Sequence, residues 1–206
     1  IIIREWFRES QSIIPEYIDE TIYYLGSSYA FVWQNIKQDI FFNGNYVSEN
    51  HNFDQYLKRF NYKFKNEIKE LGGYAILKNK KIIIAVDIGS NPNKNFSNDY
   101  QAGALSFEIF SNDKKIISNG GYFPNKENKL NKISKSTALH NTLTIEDYSS
   151  YSFTKNNSKF FVNKGLKILK KNIVFENNYW KISATHDGYL QKFGCIHERE
   201  IEFYPE

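Results

Sequence analysis

His140 is the residue of this sequence best suited, by type and position, to take part in acid–base chemistry. It is followed directly by Asn141 and by residues 142–145, whose alternating apolar side chains predict a strand. An imidazole exchanges protons near neutral pH, so a histidine at the start of a strand could serve a reaction. The same histidine could instead bond a backbone carbonyl and fix the chain, and the residues alone leave both interpretations open.

Two further histidines and the single cysteine favour structural roles. His186 stands directly before Asp187 and Gly188, a turn-forming pair, so we expect it to stabilise that turn. Cys195 lies close to His197, which could indicate a nucleophile and its base. Because this pair falls in a predicted strand, and cysteine commonly packs as a small apolar residue, we expect Cys195 to be buried and inert.

The overall composition indicates a folded protein with no strong electrostatic preference for one partner. Of the 206 residues, 41% are hydrophobic and 17% aromatic, which is enough for a core and unlike a disordered chain. The 27 basic residues exceed the 23 acidic ones only slightly and are scattered, which disfavours nucleic-acid binding. A mildly basic surface would suit an acidic polysaccharide, although the charge alone does not identify one. The longest apolar run, residues 82–86, is far shorter than the ~18 residues of a membrane span.

Residues 1–62 have the pattern of helices. Pro15 suits a first helical position, and apolar side chains recur at helical spacing after it. These side chains are Ile18, Ile22, Leu25, Tyr29 and Val32. A second, shorter helix is expected from about Asn52. Because so wide an apolar face requires neighbouring helices, and because the chain lacks methionine, we expect it to be part of a longer protein with a helical domain upstream.

From residue 74 onward the apolar pattern changes to the two-residue period of strands. Residues 74–77 and 82–86 flank a Lys-Asn-Lys turn and predict a hairpin. Leu105, Phe107 and Ile109 alternate with Ser106 and Glu108, which predicts a strand. We expect Glu108 to be a buried carboxylate tied to neighbouring strands. Further strands are expected at 116–117, 142–145, 160–162, 166–169, 173–175, 180–184, 189–193 and 200–204. Many short strands between Asn, Gly and Asp turns predict a mainly β fold, an antiparallel β-sandwich preceded by the helical segment.

Several sequence blocks in and before the β-rich region are distinctive together. They are Val86-Asp87-Ile88-Gly89 with Gln101-Ala102-Gly103-Ala104-Leu105-Ser106-Phe107-Glu108-Ile109, Ile116-Ile117-Ser118-Asn119-Gly120-Gly121, and Ser136-Thr137-Ala138-Leu139-His140-Asn141-Thr142-Leu143, with weaker ones at Phe42-Asn43-Gly44 and Ala184-Thr185-His186-Asp187-Gly188-Tyr189. In this order they resemble the C-terminal part of the heparinase II/III family. The resemblance implies an α/α toroid joined to a β-sandwich, with residues 1–62 as the end of the toroid and 63–206 as the β-sandwich.

The resemblance also implies a function and a set of site residues. Family members cleave uronic-acid-containing polysaccharides by β-elimination in the cleft between the two domains. His140 and Tyr100 are the expected catalytic residues, and Gln101, Asn43 and Asn141 are the expected substrate contacts. The loop that carries Tyr100 and Gln101 could instead only shape the cleft, and an Asn-Gly turn is an ordinary explanation for Asn43.

The sequence departs from the family at positions that bind metal and carry catalysis. Many members have a His-rich segment where this chain reads Asp99-Tyr100-Gln101-Ala102-Gly103, without histidine. Asn119 stands where metal-binding members have Asp, so of the His/Asp/His zinc set only His140 remains, and we expect no zinc and no other cofactor. Two functions stay open, a carbon–oxygen lyase and a non-catalytic carbohydrate-binding or cell-envelope module.

The same resemblance implies the partners and the location of the protein. We expect an acidic polysaccharide or oligosaccharide as ligand, and the toroid of the same protein as the surface against which this chain packs. Nucleic acid and a membrane span are not expected. Location in the periplasm or cell envelope is implied by the resemblance only.

Overall fold

The chain divides into two compact units. The structure is a computed structural model that describes residues 1–44, 50–65, 67–125, 128–156 and 159–205. One unit comprises Ile1–Lys37 and Glu49–Ile68, and the other comprises Gln38–Ser48 and Lys69–Glu206. The predicted linear division of whole domains at residue 62 stays a prediction.

The first unit is helical. Its helices are α1 (Ile2–Glu9), α2 (Glu16–Tyr29), which continues into a π-helical turn at Ala30–Gln34, and α3 (Asn50–Arg59). Pro15 directly precedes α2, as its fixed backbone angle favours. Gly26 packs flat on the Phe64 ring, where any added Cβ would overlap the ring. Tyr23 and Leu25 on α2 are more than half exposed, so the broad apolar surface predicted for this helix is present and only partly covered.

The second unit consists of antiparallel sheets. The five-stranded sheet has the order β1 (Glu70–Leu71), β2 (Tyr74–Lys78), β3 (Ile82–Asp87), β4 (Phe107–Ser111) and β5 (Lys114–Ile117). A two-stranded sheet pairs β6 (Ser152–Asn156) with β7 (Lys159–Lys164), and a three-stranded sheet has β9 (Trp180–His186) between β8 (Ile168–Phe175) and β10 (His197–Phe203). Short helices α4 (Lys129–Ser134) and α5 (Leu190–Phe193) lie in the connections. Each strand pair is antiparallel.

The main core lies between the five-stranded and three-stranded sheets. Residues of β2 and β3, among them Leu77, Ile84 and Val86, pack with Trp180 and Ile182 of β9. All five of these side chains are buried. Two antiparallel sheets joined through such a core form a β-sandwich, as the sequence predicted.

The predicted hairpin of β2 and β3 is present. Asn79 closes it, because its side-chain oxygen accepts from the backbone N–H groups of Lys81 (2.8 Å) and Ile82 (2.7 Å). This is the local side-chain bonding that makes Asn a turn residue.

Two predicted strands are wrong. Residues 142–145 form no strand and only the isolated bridge Ile145↔Tyr148, because side-chain bonds replace a ladder there. The Thr142 hydroxyl donates to the carbonyl of Ala104 (2.8 Å), and Glu146 adopts a positive φ of 52° that turns the chain. Residues 189–193 instead contain α5, which ends at Gly194 in the left-handed conformation, φ 69°.

Of two predictions of burial, one is confirmed and one is wrong. Glu108 of β4 is buried, as expected, and Lys115 of the neighbouring strand pairs with it. Cys195 is exposed, since it lies in the bend before β10 and not in the strand.

Among the described residues, the helices are all too short or too polar to cross a lipid bilayer.

Candidate functional site

Asn43 joins the loop before the β-rich sheets to the loop that carries Gln101. Its side-chain oxygen accepts from the Gln101 backbone N–H (2.8 Å), and its amide nitrogen donates to the Tyr74 hydroxyl (2.6 Å). The neighbouring Gly44 donates its N–H to the carbonyl of Asp99 (2.8 Å). The structure therefore brings the predicted residues Asn43 and Gln101 together, and it adds Tyr74, which sequence reasoning missed.

Gln101 is completely buried at this junction. Its amide nitrogen donates to the carbonyl of Gly121 (3.3 Å), which ties the loop to the segment after β5. Its side-chain oxygen has no hydrogen-bond partner within the described part of the chain. A buried acceptor without a donor is uncommon in native proteins, and it marks a place where a ligand hydroxyl or a water would be stabilised.

His140 is buried, with 7% of its surface exposed, and its ring has a fixed orientation. Nδ1 lies 3.0 Å from the carbonyl of Ser136, so Nδ1 carries the hydrogen and Nε2 is the acceptor. Among the described residues Nε2 has no hydrogen-bond partner. The ring lies against Gly103, where an added Cβ would be 2.6 Å from Cδ2, so this position requires glycine.

Burial lowers the pKa of His140 below its usual value, because the charged ring is poorly solvated. The backbone of Ser136 and of Phe42 opposes this shift in part. His140 is therefore a neutral imidazole at neutral pH, with an accepting Nε2.

Asn141 is largely committed to the scaffold. Its backbone N–H donates to the side-chain oxygen of Asn119 (2.8 Å), and its amide donates to the carbonyl of Phe107 (3.3 Å). Its carbonyl accepts from the guanidinium of Arg199, which lies 5.2 Å from the centre of the Phe107 ring. Asn141 adjoins His140 and is partly exposed, so its side-chain oxygen is the group that a ligand could reach.

Tyr100 packs against an apolar cluster, with its hydroxyl beside that of Tyr151. The hydroxyl is 3.1 Å from that of Tyr151, and the two rings meet edge to face at 5.3 Å. The cluster around them contains Ala102, Ala104, Val162 and Leu166. Sequence reasoning missed Tyr151, since its segment has no strand periodicity that would mark one tyrosine as inward-facing.

Asp87, at the end of β3, is a second buried acid near these phenols. It is 2% exposed; Oδ1 accepts from the Gly89 N–H (3.0 Å), and Oδ2 has no partner among the described residues. Burial raises the pKa of Asp87 to about 7. Burial also raises the pKa of Tyr100 well above its usual value, and the charge of Asp87 adds to this, so the phenol is protonated at neutral pH.

The residues around His140 do not fit a zinc ion. In the described ranges no group of three or more His, Cys, Asp or Glu side chains could hold a metal. The Asn119 oxygen already accepts from Asn141, and its amide nitrogen lies 3.4 Å from the Ser106 hydroxyl. One imidazole is a poor donor set for zinc, which takes three or four nitrogen, sulfur or carboxylate ligands.

His186 and His197 form a separate pair between β9 and β10. His197 Nδ1 lies 3.0 Å from His186 Nε2, and His186 Nδ1 accepts from the Gly188 N–H (3.0 Å). The predicted turn-stabilising role of His186 is therefore confirmed. His197, expected to be structural or exposed, is buried and structural.

The comparisons with known proteins agree with this architecture. Residues 70–206 match the family model described as Heparinase II/III-like, C-terminal. The solved structure of heparan sulfate lyase HepC from Pedobacter heparinus is similar with a TM-score of 0.63 and 14% identity, over 93% of this chain and 31% of that one. A crystal structure of Heparinase III is similar with a TM-score of 0.63 and 16% identity, over 93% of this chain and 33% of that one.

At these identities the structural likeness shows the fold alone. The chain spans about one third of the length of the similar structures. A search of curated proteins gave no match.

Proposed function

The chain belongs to the Heparinase II/III-like, C-terminal family, and from this premise we propose that it supplies the β-sandwich side of the cleft of a polysaccharide lyase. The proposed substrate is a polysaccharide that contains uronic acid, and the proposed reaction is β-elimination. The names of the structurally similar lyases make heparan sulfate the first substrate to test.

The proposed reaction determines which groups the cleft must provide. A base removes the proton on the carbon beside the uronate carboxylate, and the electrons of that C–H bond form a carbon–carbon double bond. The bond to the glycosidic oxygen breaks, and that oxygen takes up a proton as it leaves. The removed proton is weakly acidic, so donors or cations must offset the carboxylate charge before a base of ordinary strength can act.

The observation that carries the proposal is the state of His140. Its Nδ1 is held by the Ser136 carbonyl, while its buried Nε2 is a lone-pair acceptor without a partner in the described chain. A neutral imidazole in one fixed tautomer can accept a proton from a substrate carbon or a hydroxyl. Gln101 offers an open acceptor that suits a sugar hydroxyl, while its N–H is bonded to Gly121 and does not meet the carboxylate.

Tyr100 supports a second candidate function, a carbohydrate-binding module without catalysis. Its hydroxyl faces Tyr151 in an apolar cluster, and its raised pKa keeps it protonated at neutral pH. If neither Tyr100 nor His140 served as base, the family fold would still present polar atoms to a sugar.

The test is a lyase assay on the full-length protein that carries this sequence. Heparan sulfate, heparin, alginate and other uronate polysaccharides would be supplied, and the ultraviolet absorbance of the unsaturated product followed. We expect absorbance to rise on at least one substrate and to be lost in His140→Ala, with circular dichroism unchanged. The exposed turn variant Asn178→Ala is the control and should keep full activity. Binding without product on every substrate would support the carbohydrate-binding module instead.

We also propose that the protein acts in the periplasm or cell envelope, where extracellular polysaccharide is accessible. Fractionation of the native cells with an antibody against the chain tests this. Recovery in the cytosolic fraction alone would contradict it.

A further inference from the structure

Glu108, on β4, is a completely buried carboxylate that contacts two separate segments of the candidate site. Its Oε1 accepts from the backbone N–H of Asn119 (2.9 Å) and from the backbone N–H of Phe41 (3.2 Å). The Ser118 hydroxyl adds a longer bond of 3.4 Å to the same oxygen. The exposed fraction of Glu108 is 0%.

Lys115, on the neighbouring strand β5, neutralises this carboxylate. Its Nζ lies 3.1 Å from Glu108 Oε2 and donates to the carbonyl of Asp39 (2.6 Å). The ammonium also lies 3.7 Å from the centre of the Phe41 ring. The ion pair therefore holds residues 39–41 at two points. Glu108 accepts from the Phe41 N–H, and Lys115 donates to the Asp39 carbonyl.

Both segments that Glu108 holds lead directly to His140. Asn119 accepts from the N–H of Asn141, the residue after His140. Phe41 precedes Phe42, whose backbone raises the pKa of His140. His140 is thus linked, through Asn141 and through Phe42, to two chain segments whose N–H groups share a single carboxylate oxygen.

The Phe41 segment also carries Asn43. Two residues after Phe41, Asn43 binds the Gln101 N–H and the Tyr74 hydroxyl. A shift of the Phe41 N–H would therefore displace groups that contact both His140 and Gln101.

We propose that Glu108 is a positioning residue, which sets the location and the environment of the His140 ring through Asn119 and Phe41. It touches no substrate; a carboxylate is needed because one oxygen must accept from two N–H groups while the other meets an ammonium. The activity part of this proposal rests on the proposed lyase function. Its structural part concerns the His140 ring alone and does not depend on catalysis.

Glu108→Gln in the full-length protein separates the two parts. It keeps the shape of the side chain but removes the charge and replaces one oxygen with an NH₂ group that cannot accept. Because a displacement of about 1 Å can cost up to about a hundredfold in rate, we expect kcat to fall tenfold to a hundredfold. We expect a smaller change in KM, since the substrate-contacting atoms remain. Glu202→Gln, an exposed carboxylate bonded by Tyr179 and Tyr204 outside the site, is the matched control and should change neither.

Nitrogen NMR of labelled histidines provides the readout that a general loss of stability would not give. Signals would be assigned with single His→Gln variants. In Glu108→Gln we expect the His140 nitrogens to change shift and the pKa of His140 to change, while His186 and His197 keep their values. An unchanged His140, or equal changes at His140, His186 and His197, would overturn the proposal. If Glu108→Gln does not fold, Lys115→Met is measured in its place, with the same two criteria for the His140 signal.

The two proposals fail in different ways. A wild-type protein without lyase activity on any substrate would end the proposed function, and the NMR result would still decide the role of Glu108. A wild-type lyase whose rate and His140 signals both survive Glu108→Gln would end the positioning role and leave the lyase function intact.

Discussion

The β-rich unit buries histidines in two regions, and their hydrogen bonding differs. His186 has both ring nitrogens bonded, one to the Gly188 N–H and the other to His197. His140 is bonded at Nδ1 only, and its Nε2 has no partner among the described residues. The exposed fractions are similar, 1% for His186 and 7% for His140. Burial therefore does not distinguish the two regions, whereas the satisfaction of polar atoms does.

The two regions differ in whether their buried polar side chains are hydrogen-bonded within the protein. In the His186–His197 pair the side chains satisfy one another and fasten β9 to β10. In the described part of the chain, the acceptors on Gln101 and His140 have no partner, although neighbouring groups fix both side chains. Buried polar atoms without partners destabilise a fold, so each of these atoms marks a place for a ligand group or a water.

The largest expected effect is on catalysis, and it should be confined to one region. His140→Gln removes the accepting nitrogen, so we expect kcat to fall by about 10²- to 10⁴-fold, the usual contribution of a general base. His197→Gln should leave kcat nearly unchanged at a temperature where the variant is folded. Steady-state assays of both variants check this. Equal losses in the two variants would show that the regions do not differ in function.

The second effect is on stability, and we expect it mainly in the region of His186 and His197. His197→Gln leaves His186 without its buried partner, so we expect the free energy of unfolding to fall by about 2 kcal/mol. His140→Gln should cost less than about 1 kcal/mol, because only the bond to Ser136 is lost. Urea unfolding followed by far-ultraviolet circular dichroism measures both. A larger loss in His140→Gln would mean that the candidate site is structural.

The third effect is on the pH dependence of stability, to which the His186–His197 pair and Asp87 contribute in opposite directions. Burial lowers the pKa of His186 and of His197 to about 4, whereas unfolded histidine has a pKa of about 6.5. The unfolded chain then binds more protons between these values, so this pair loses stability as the pH falls from about 6.5 toward 4. Burial raises the pKa of Asp87 to about 7 from about 3.9 when unfolded. The folded chain binds the extra proton there, so Asp87 gains stability over the same fall in pH.

Asp87→Asn should reveal the contribution of His186 and His197 to the pH dependence of stability. Without the opposing acid, we expect the free energy of unfolding to drop by on the order of 3 kcal/mol between pH ~6.5 and ~4, while the wild type changes less. Urea unfolding across this pH range measures the difference. Identical pH dependence in the variant and the wild type would contradict the assignment of Asp87.

The smallest effect concerns Asn43. Asn43→Ala removes the bonds to Gln101 and Tyr74, which loosens one wall of the site. We expect KM to rise about fivefold, which corresponds to about 1 kcal/mol for a hydrogen bond. Asn178→Ala, in an exposed turn, should leave KM unchanged. An unchanged KM in Asn43→Ala would mean that the substrate does not bind against this wall.

Local sequence was sufficient for much of the fold. The Lys-Asn-Lys turn and its flanking apolar runs predicted β2 and β3, because turn chemistry and strand periodicity act within a few residues. It failed at residues 142–145 and 189–193. In the first case a distant group takes up a side-chain bond of the segment, since the Thr142 hydroxyl donates to the Ala104 carbonyl. In the second, Gly194 ends a helical turn that four residues cannot reveal by periodicity.

The sequence by itself determined that the chain is mainly β after a helical segment, that its blocks resemble one lyase family, and that His140 is the histidine to examine. Only the tertiary structure decided which polar groups meet. Asn43 bonds a residue 58 positions away, and the Phe41 N–H reaches a carboxylate 67 positions away. Contacts at such separations depend on how loops pack on the sheets, and no local pattern of side chains encodes that. The open Nε2 of His140 and the buried acceptor of Gln101 are consequences of this packing.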